Sequence, residues 1–437
     1  MAVLLPLLAF YVAWNLGAND VANSMGTSVG SKALTLRQAL VVAGILEFTG
    51  AVLFGQSVSS TIATQIVDPA VFAAQPTVLL TGMVSVMIAC GLWVQVATSR
   101  GWPVSSSHAV VGAIAGFTWV AAGVGAVNWS DIGTISLTWI ATPFVSGIIA
   151  AGFYSAVKRW ILDGSEPMHQ LREWIPWLSS ALLGVFGVIV LPTLSAPVHA
   201  WLVNRFGLNI PAHDLPLAIG AGAAVCLTLM SWAQLDKAKA KTGETLNSPP
   251  ATELPLASSS SALTVERQLA RFQILSACFV AFAHGSNDVG NAVAPLAAIA
   301  YIRNTGSVPA AGFTVPLWIL VLGGAGIVAG LAVLGKKVIT TVGEDIIPLQ
   351  PSGGFCAELA TATTVLIASR LGLPVSTSHA LVGGVIGIGL VQSLFKTGSQ
   401  TPIRFQTLQG IFLAWVITVP IAAGLSAGIF ALARQLL

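Results

Sequence analysis

Long apolar runs alternate with short polar breaks along almost all of the 437 residues. Stretches near 38–56, 78–98, 104–127, 132–156, 177–195, 215–233, 313–334, 355–370, 374–394 and 405–433 approach the roughly 20 residues that a helix needs to cross a bilayer. Two more, 2–31 and 272–302, are equally apolar but carry polar motifs. The pattern predicts an all-α polytopic membrane protein of about 12 membrane segments, some short or interrupted by Gly and Pro. The one long polar stretch, 234–271, contains Pro249-Pro250 and Ser258 to Ser261. It has too few apolar residues to bury, which predicts a disordered linker between two halves.

Composition agrees with the pattern: 55% of residues are apolar, 8% are charged and mean hydropathy is +0.84, against about 25% charged residues in soluble chains. A net charge of +3, spread along the chain, gives no basic patch for nucleic acid. Residues 2–13 lack a basic leader and a small-residue cleavage site, so the first apolar run reads as a retained helix. Cys90, Cys226, Cys278 and Cys356 lie in apolar segments without C-x-x-C spacing, the pattern of small buried hydrophobes. Lys237, Lys239, Lys241, Arg267 and Arg271 flank the polar stretch, and Lys158, Arg159 and Arg172 occupy the loop two spans earlier. By the positive-inside rule both are cytoplasmic.

Two elements recur in the same order. Gly17-Ala18-Asn19-Asp20-Val21-Ala22-Asn23 returns as Gly285-Ser286-Asn287-Asp288-Val289-Gly290-Asn291, and Pro103-Val104-Ser105-Ser106-Ser107-His108 returns as Pro374-Val375-Ser376-Thr377-Ser378-His379. Ser99-Arg100 and Ser369-Arg370 stand just upstream of the second element. Asp20 precedes His108 by 88 residues and Asp288 precedes His379 by 91. This duplication divides the chain into repeat one (1–157), a connecting loop and helix pair (158–233), the polar loop (234–271) and repeat two (272–437). Repeat one ends and repeat two begins on the cytoplasmic side. An odd number of crossings in each makes the repeats inverted, with both termini outside.

The chemistry of the motifs is complementary. An Asp in an apolar segment costs several kcal/mol unless it serves a site. Positions i and i+4 share a helical face, so Asn19 and Asn23 are expected to converge, as are Asn287 and Asn291, with Asp20 and Asp288 about 100° around. Gly17 and Gly285 are expected to let the helices unwind and free carbonyls. Carboxylate, amide and carbonyl oxygens together suit a hard cation such as sodium; a polar helix–helix contact is the plainer alternative. In the second element a proline leads hydroxyl residues into a helix N-terminus, where free amides and hydroxyls bind anions or simply cap the helix. A divalent anion beside Asp20 and Asp288 would pile up negative charge in a low dielectric, which calls for a cation to arrive with it. Glu47 and Glu358, also in apolar segments, read as further members of an ion pathway, or else as acids paired near the interface. His108 and His379 read as hydrogen-bonded supports.

At these motifs the chain resembles the inorganic phosphate transporter (PiT) family. Its first signature is similar to Gly17 through Ser31, its second to Phe282 through Asn291, and both Pro-Val-Ser-x-Ser-His elements and both Glu positions match as well. The likeness spans both repeats and is weakest over 158–271. It implies inverted repeats with broken helices and re-entrant hairpins, a homodimer in a plasma (inner) membrane, and symport of inorganic phosphate with Na+ or H+, without cofactor or catalysis. Ion and phosphate roles are implied for Asp20, Asn23, Asp288 and Asn291, and a phosphate role for Ser105, Ser106, Ser107, Ser376, Thr377 and Ser378. Glu47, His284 and Glu358 match positions tied to transport in the sodium-coupled branch. Departures are Ser286 and Gly290, where the family commonly has Ala, and Ala294, where it commonly has Gly.

Four alternatives stay open on the residues alone. Sulfate is the rival substrate, but it only accepts hydrogen bonds, whereas monohydrogen phosphate donates one to a carboxylate. Protons are the rival coupling ion to sodium. Two intramembrane Asp residues also fit an aspartyl-protease dyad, which accounts for neither the flanking Asn residues nor the duplicated hydroxyl motif; a channel, with ion flux independent of phosphate, is the last.

Overall fold

In the computed structural model the described residues are 3–207, 211–245, 257–310, 312–345, 349–395 and 404–436. They form fourteen α-helices and, among the described residues, no strand, only an isolated bridge between Val67 and Val127. The first repeat contributes α1 (Leu4–Gly30), α2 (Leu36–Phe54), α3 (Gln56–Thr64), α4 (Pro76–Ser99), α5 (Ser106–Ala122) and α6 (Trp129–Val157). Between the repeats lie α7 (Pro167–Ile189), α8 (Leu191–Phe206) and α9 (Asp214–Thr245). The second repeat is built from α10 (Ala257–Thr305), α11 (Leu317–Asp345), α12 (Pro351–Arg370), α13 (Thr377–Leu394) and α14 (Phe405–Leu436). Local chemistry sets several starts. Thr35 and Gln38 form a capping box on α2, Asn128 caps α6, and prolines with no N–H to satisfy open α4, α7, α8 and α12.

Among the described residues seven helices, α2, α4, α6, α9, α11, α13 and α14, are individually long and apolar enough to cross a membrane, and eight if the pair α7 and α8, bent by 63°, is taken as one span. The motif helices α1, α10 and α12 fall outside that group because their middles are polar. They are held by protein on every side: from Asn15 to Ser28 and from Val280 to Ile299 every residue is buried. A polar side chain so placed finds protein partners that lipid does not offer.

Helices exchange partners between the repeats reciprocally. α1 packs on α11 and α10 on α2; α5 packs on α14 and α13 on α6. The closest approaches match in detail. A Cβ at Gly17 would overlap the backbone of Ile327 on α11, and one at Gly285 would overlap the backbone of Glu47 on α2. Glycine is therefore required at the head of each motif by backbone contact between helices.

That contact corrects one expectation: α1 and α10 stay helical through both motifs, so neither glycine unwinds its helix; the carbonyl denied its helical donor is that of Asn291, because Pro295 has no N–H. The breaks fall at Gly55, between α2 and α3, and at Val190, between α7 and α8. A second correction concerns 234–271. Residues up to Thr245 continue α9 and those from Ala257 begin α10, while 246–256 lie outside the described residues. Leu235, Val265 and Leu269 are buried, and Glu266 accepts from the Ser352 amide (2.9 Å) and hydroxyl (2.7 Å) at the start of α12. The sparse apolar residues fall at helical spacing, which a count of composition overlooks. Among the cysteines, Cys90 and Cys356 are buried as expected, Cys278 is half-buried and Cys226 is exposed on α9, whose inner face packs on α7.

Candidate functional site

The hydroxyl motifs sit at the tips of two internal hairpins, α4–α5 and α12–α13, and residues 103–114 and 374–385 are buried without exception. Ser105 and Ser376 are the N-caps, their hydroxyls accepting from the amides of His108 (3.3 Å) and His379 (3.4 Å). This is the capping role considered for the motif, and it occupies the first hydroxyl of each triplet. Ser107 donates to the Val375 carbonyl (2.8 Å), and Ser378 shares a 2.9 Å bond with Ser376. Ser106 and Thr377 are left to face the acids.

Asp20 and Asp288 meet between these helix starts. Asn23 Nδ2 donates to Asp20 Oδ1 (3.0 Å) and reaches Thr377 Oγ1 of the other repeat at 3.5 Å. In the reciprocal arrangement, Asn291 Nδ2 donates to Ser106 (3.1 Å) and Ser107 (3.2 Å) and lies 3.5 Å from Asp288 Oδ1. Thr377 donates to Asp288 Oδ2 at 2.9 Å. Asp20 Oδ2 and Asn291 Oδ1 are buried without a donor. Acceptors that protein leaves unpaired in a buried site are what a cation satisfies. Asp20, His284 and Asp288 each offer an atom within 4.8 Å of the others, all buried. Two carboxylates so close in a low dielectric repel strongly unless a proton or cation lies with them.

The expectation that Asn19 converges with Asn23 is not met. Asn19 Nδ2 donates to Thr98 Oγ1 (3.1 Å) and the Trp102 carbonyl (2.9 Å), and its Oδ1 accepts from the Val104 amide (3.2 Å). Asn287 likewise donates to Ser369 Oγ (3.0 Å) and the Leu373 carbonyl (3.1 Å). These two asparagines fasten the hairpin tips, and it is the i+3 spacing, Asp20 with Asn23, that gathers the site. The same bonds show that Thr98, and not Ser99, is the structural match of Ser369. In that register the loops to the two prolines are equal in length, and Gly101 (φ 70°) falls opposite Gly372 (φ 71°).

The remaining acids form two surroundings. Glu47 Oε1 accepts from Ser24 (2.8 Å), and His284 stands between Glu47 (3.1 Å) and Asp288 (3.0 Å), at ion-pair distance but without hydrogen-bond alignment to either. Glu358 lies in a separate nest of neutral donors: Thr27 (2.7 Å), Ser28 (2.6 Å), Gln273 (3.2 Å) and Ser276 (2.7 Å). Sequence reasoning gave no role to Ser24, Thr27, Ser28, Gln273 or Ser276. Their signal was present as polar residues at helical spacing on the faces of α1 and α10. His108 and His379 each place Nδ1 on a tryptophan carbonyl of the opposite repeat, Trp415 at 3.1 Å and Trp139 at 3.0 Å. A carbonyl only accepts, so both rings are protonated at Nδ1.

The arrangement pairs an oxygen-rich pocket with two helix N-termini that bring hydroxyls and amides, a combination suited to a cation and an oxyanion side by side. The sequence matches the phosphate transporter family over residues 16–426. It is 38% identical, over 429 residues, to inorganic phosphate transporter 2-1, chloroplastic, of Arabidopsis thaliana, covering 96% of this chain and 70% of that protein. Among solved structures, a sodium-dependent phosphate transporter superposes with a TM-score of 0.79 at 35% identity, covering 100% of this chain and 99% of that one.

Proposed function

This chain belongs to the phosphate transporter family, and from that premise we propose that it moves inorganic phosphate across a membrane by symport with sodium, the anion seated against Ser106 and Thr377 and the cation against Asp20. The observation that carries this reading is the reciprocal meeting of Asp20 and Asn23 with Asp288 and Asn291 at the starts of α5 and α13. A carboxylate oxygen is left unpaired beside helix N-termini. Phosphate entering alone would face two carboxylates; sodium at Asp20 Oδ2 removes that penalty, so each ligand favours the other. A protonated oxygen of monohydrogen phosphate has a carboxylate to donate to, and fully ionised sulfate does not.

The exchange of partners between repeats supports an inverted arrangement, in which rocking of one repeat against the other opens the midplane site to alternate sides. On this reading both termini are outside, the segment with Lys158, Arg159 and Arg172 and the ends of α9 and α10 with Lys237, Arg267 and Arg271 are cytoplasmic, and the membrane is the plasma (inner) membrane. Two copies form a homodimer, as the resemblance implies. His284, lying between Glu47 and Asp288, supports proton coupling as the second reading, because three titratable groups in line offer a proton a path.

Uptake of radiolabelled phosphate into proteoliposomes tests the proposal. A sodium gradient should drive accumulation that excess sulfate does not suppress, and Asp20→Asn should abolish it at unchanged protein content. Accumulation driven equally by a pH gradient without sodium would replace sodium by protons. Equal uptake with no gradient of either would refute symport.

A further inference from the structure

The reciprocal symmetry of the two hairpins fails at one place, their tips. We propose that Trp139 and Trp415 form a pair of alternating latches, Trp139 closed on the repeat-two tip and Trp415 open in this conformation, exchanging as the site opens to opposite sides. The proposal rests on the alternating-access reading given above.

Trp139 on α6 donates from Nε1 to the Pro374 carbonyl at 3.0 Å, and Ser107 donates to the next carbonyl, Val375, at 2.8 Å. Two groups of repeat one thus hold the tip of repeat two. The matching groups of repeat two are disengaged: Trp415 Nε1 is buried with no partner, and Ser378 turns to Ser376. A buried indole N–H without an acceptor is costly, and a state in which Trp415 reached the Pro103 carbonyl, as Trp139 reaches that of Pro374, would relieve the cost. A cavity of about 290 Å³ separates the repeat-one tip from α14, lined by Gly101, Trp102, Pro103, Gly410, Ala414 and Ile417.

General looseness does not explain the difference. The helices behind the tips are docked alike, as the His108–Trp415 (3.1 Å) and His379–Trp139 (3.0 Å) contacts show. The rings of His108 and His379 also meet at a centroid distance of 4.8 Å, which ties the two halves at the centre. Between the tryptophans and the hairpins the asymmetry lies at the tips, where opposite states of two related gates would appear.

Distances between spin labels in the full chain, reconstituted in proteoliposomes, read both latches. One label pair is Arg100→Cys with Gly410→Cys; the pseudo-symmetric pair is Leu371→Cys with Thr134→Cys, in a background with Cys226 and Cys278 replaced by Ala. Position 410 has open space for a side chain, and Arg100, Thr134 and Leu371 are exposed. Trp139→Phe removes one hydrogen bond from the closed latch. It should enrich the short Arg100–Gly410 population about fivefold at the expense of the short Leu371–Thr134 population, and Trp415→Phe should do the reverse. Both substitutions shifting the distances the same way, or shifting neither, would overturn the latch.

Should a variant not fold, the unsubstituted tryptophans still decide. Adding sodium phosphate must move the two distances in opposite directions, and movement in the same direction or none contradicts the proposal. Phosphate uptake is measured separately on the same vesicles. Normal uptake with distances that move together refutes the latch alone, whereas absent uptake refutes the transport reading.

Discussion

Asn19 and Asn23 are four residues apart on one helix, yet the structure gives them different tasks, and substituting each by alanine separates the two. Asn19, 1% exposed, makes three hydrogen bonds to Thr98, Trp102 and Val104. At about 1 kcal/mol per bond, with the amide of buried Val104 left without the partner it had, Asn19→Ala should destabilise by about 3 kcal/mol. For a protein of this size that is a fall in melting temperature of about 3 °C, read by intrinsic tryptophan fluorescence in detergent. Sodium affinity of the folded fraction should hold within about twofold, since the Asn19 side chain makes no hydrogen bond to Asp20 or to the hydroxyls of 105–107 and 376–378. Asn23→Ala removes the 3.0 Å bond to the Asp20 carboxylate. A hydrogen bond to a charged group is worth about 1.5–3 kcal/mol, so radiolabelled sodium should bind roughly 10- to 100-fold more weakly, with a smaller effect on melting. If Asn19→Ala weakened sodium binding tenfold at an unchanged melting temperature, the division of labour would be wrong, and Asn19 would belong with the ion ligands.

Other outcomes follow from the packing and the second acid nest. Gly17→Ala and Gly285→Ala press a methyl into the Ile327 and Glu47 backbones and should each destabilise by about 1–3 kcal/mol, while Gly410→Ala and Gly424→Ala, with open space, should leave the melting temperature nearly unchanged. Glu358→Gln keeps the shape of a side chain surrounded by rotatable hydroxyls, so the protein should fold and melt within a few degrees of the parent while sodium-driven phosphate uptake is lost. Ser105→Ala removes a helix cap and should cost about 1 kcal/mol in stability; Ser106→Ala, which leaves the cap intact, should act on the apparent phosphate affinity instead.

Much of the fold was legible because the apolar runs set the helices and the duplicated motifs set the halves. Legibility failed where helices touch one another. Gly17 and Gly285 suggest local unwinding when each helix is considered alone, and only the Ile327 and Glu47 backbones explain them. At the site, residue types announced Asp20, Asp288 and the hydroxyl motifs, but the partition of the asparagines depends on which neighbour each face meets. Helical spacing alone allows Asn19 and Asn23 to converge. The hairpin tip beside Asn19 draws it away, and Asp20 takes Asn23. The nest around Glu358 joins three helices, so no local window of sequence brings Thr27, Gln273 and Ser276 together.

The central claim is that the cation makes the anion's binding possible at a site built on Asp20 and Asp288. Titration of the purified protein with phosphate, in sodium and then in potassium at equal ionic strength, tests it most directly. Phosphate should bind at least tenfold more tightly in sodium, sodium should bind more tightly in phosphate by the same factor, and Asp20→Asn should remove the dependence. Equal phosphate affinity in sodium and potassium would contradict the account.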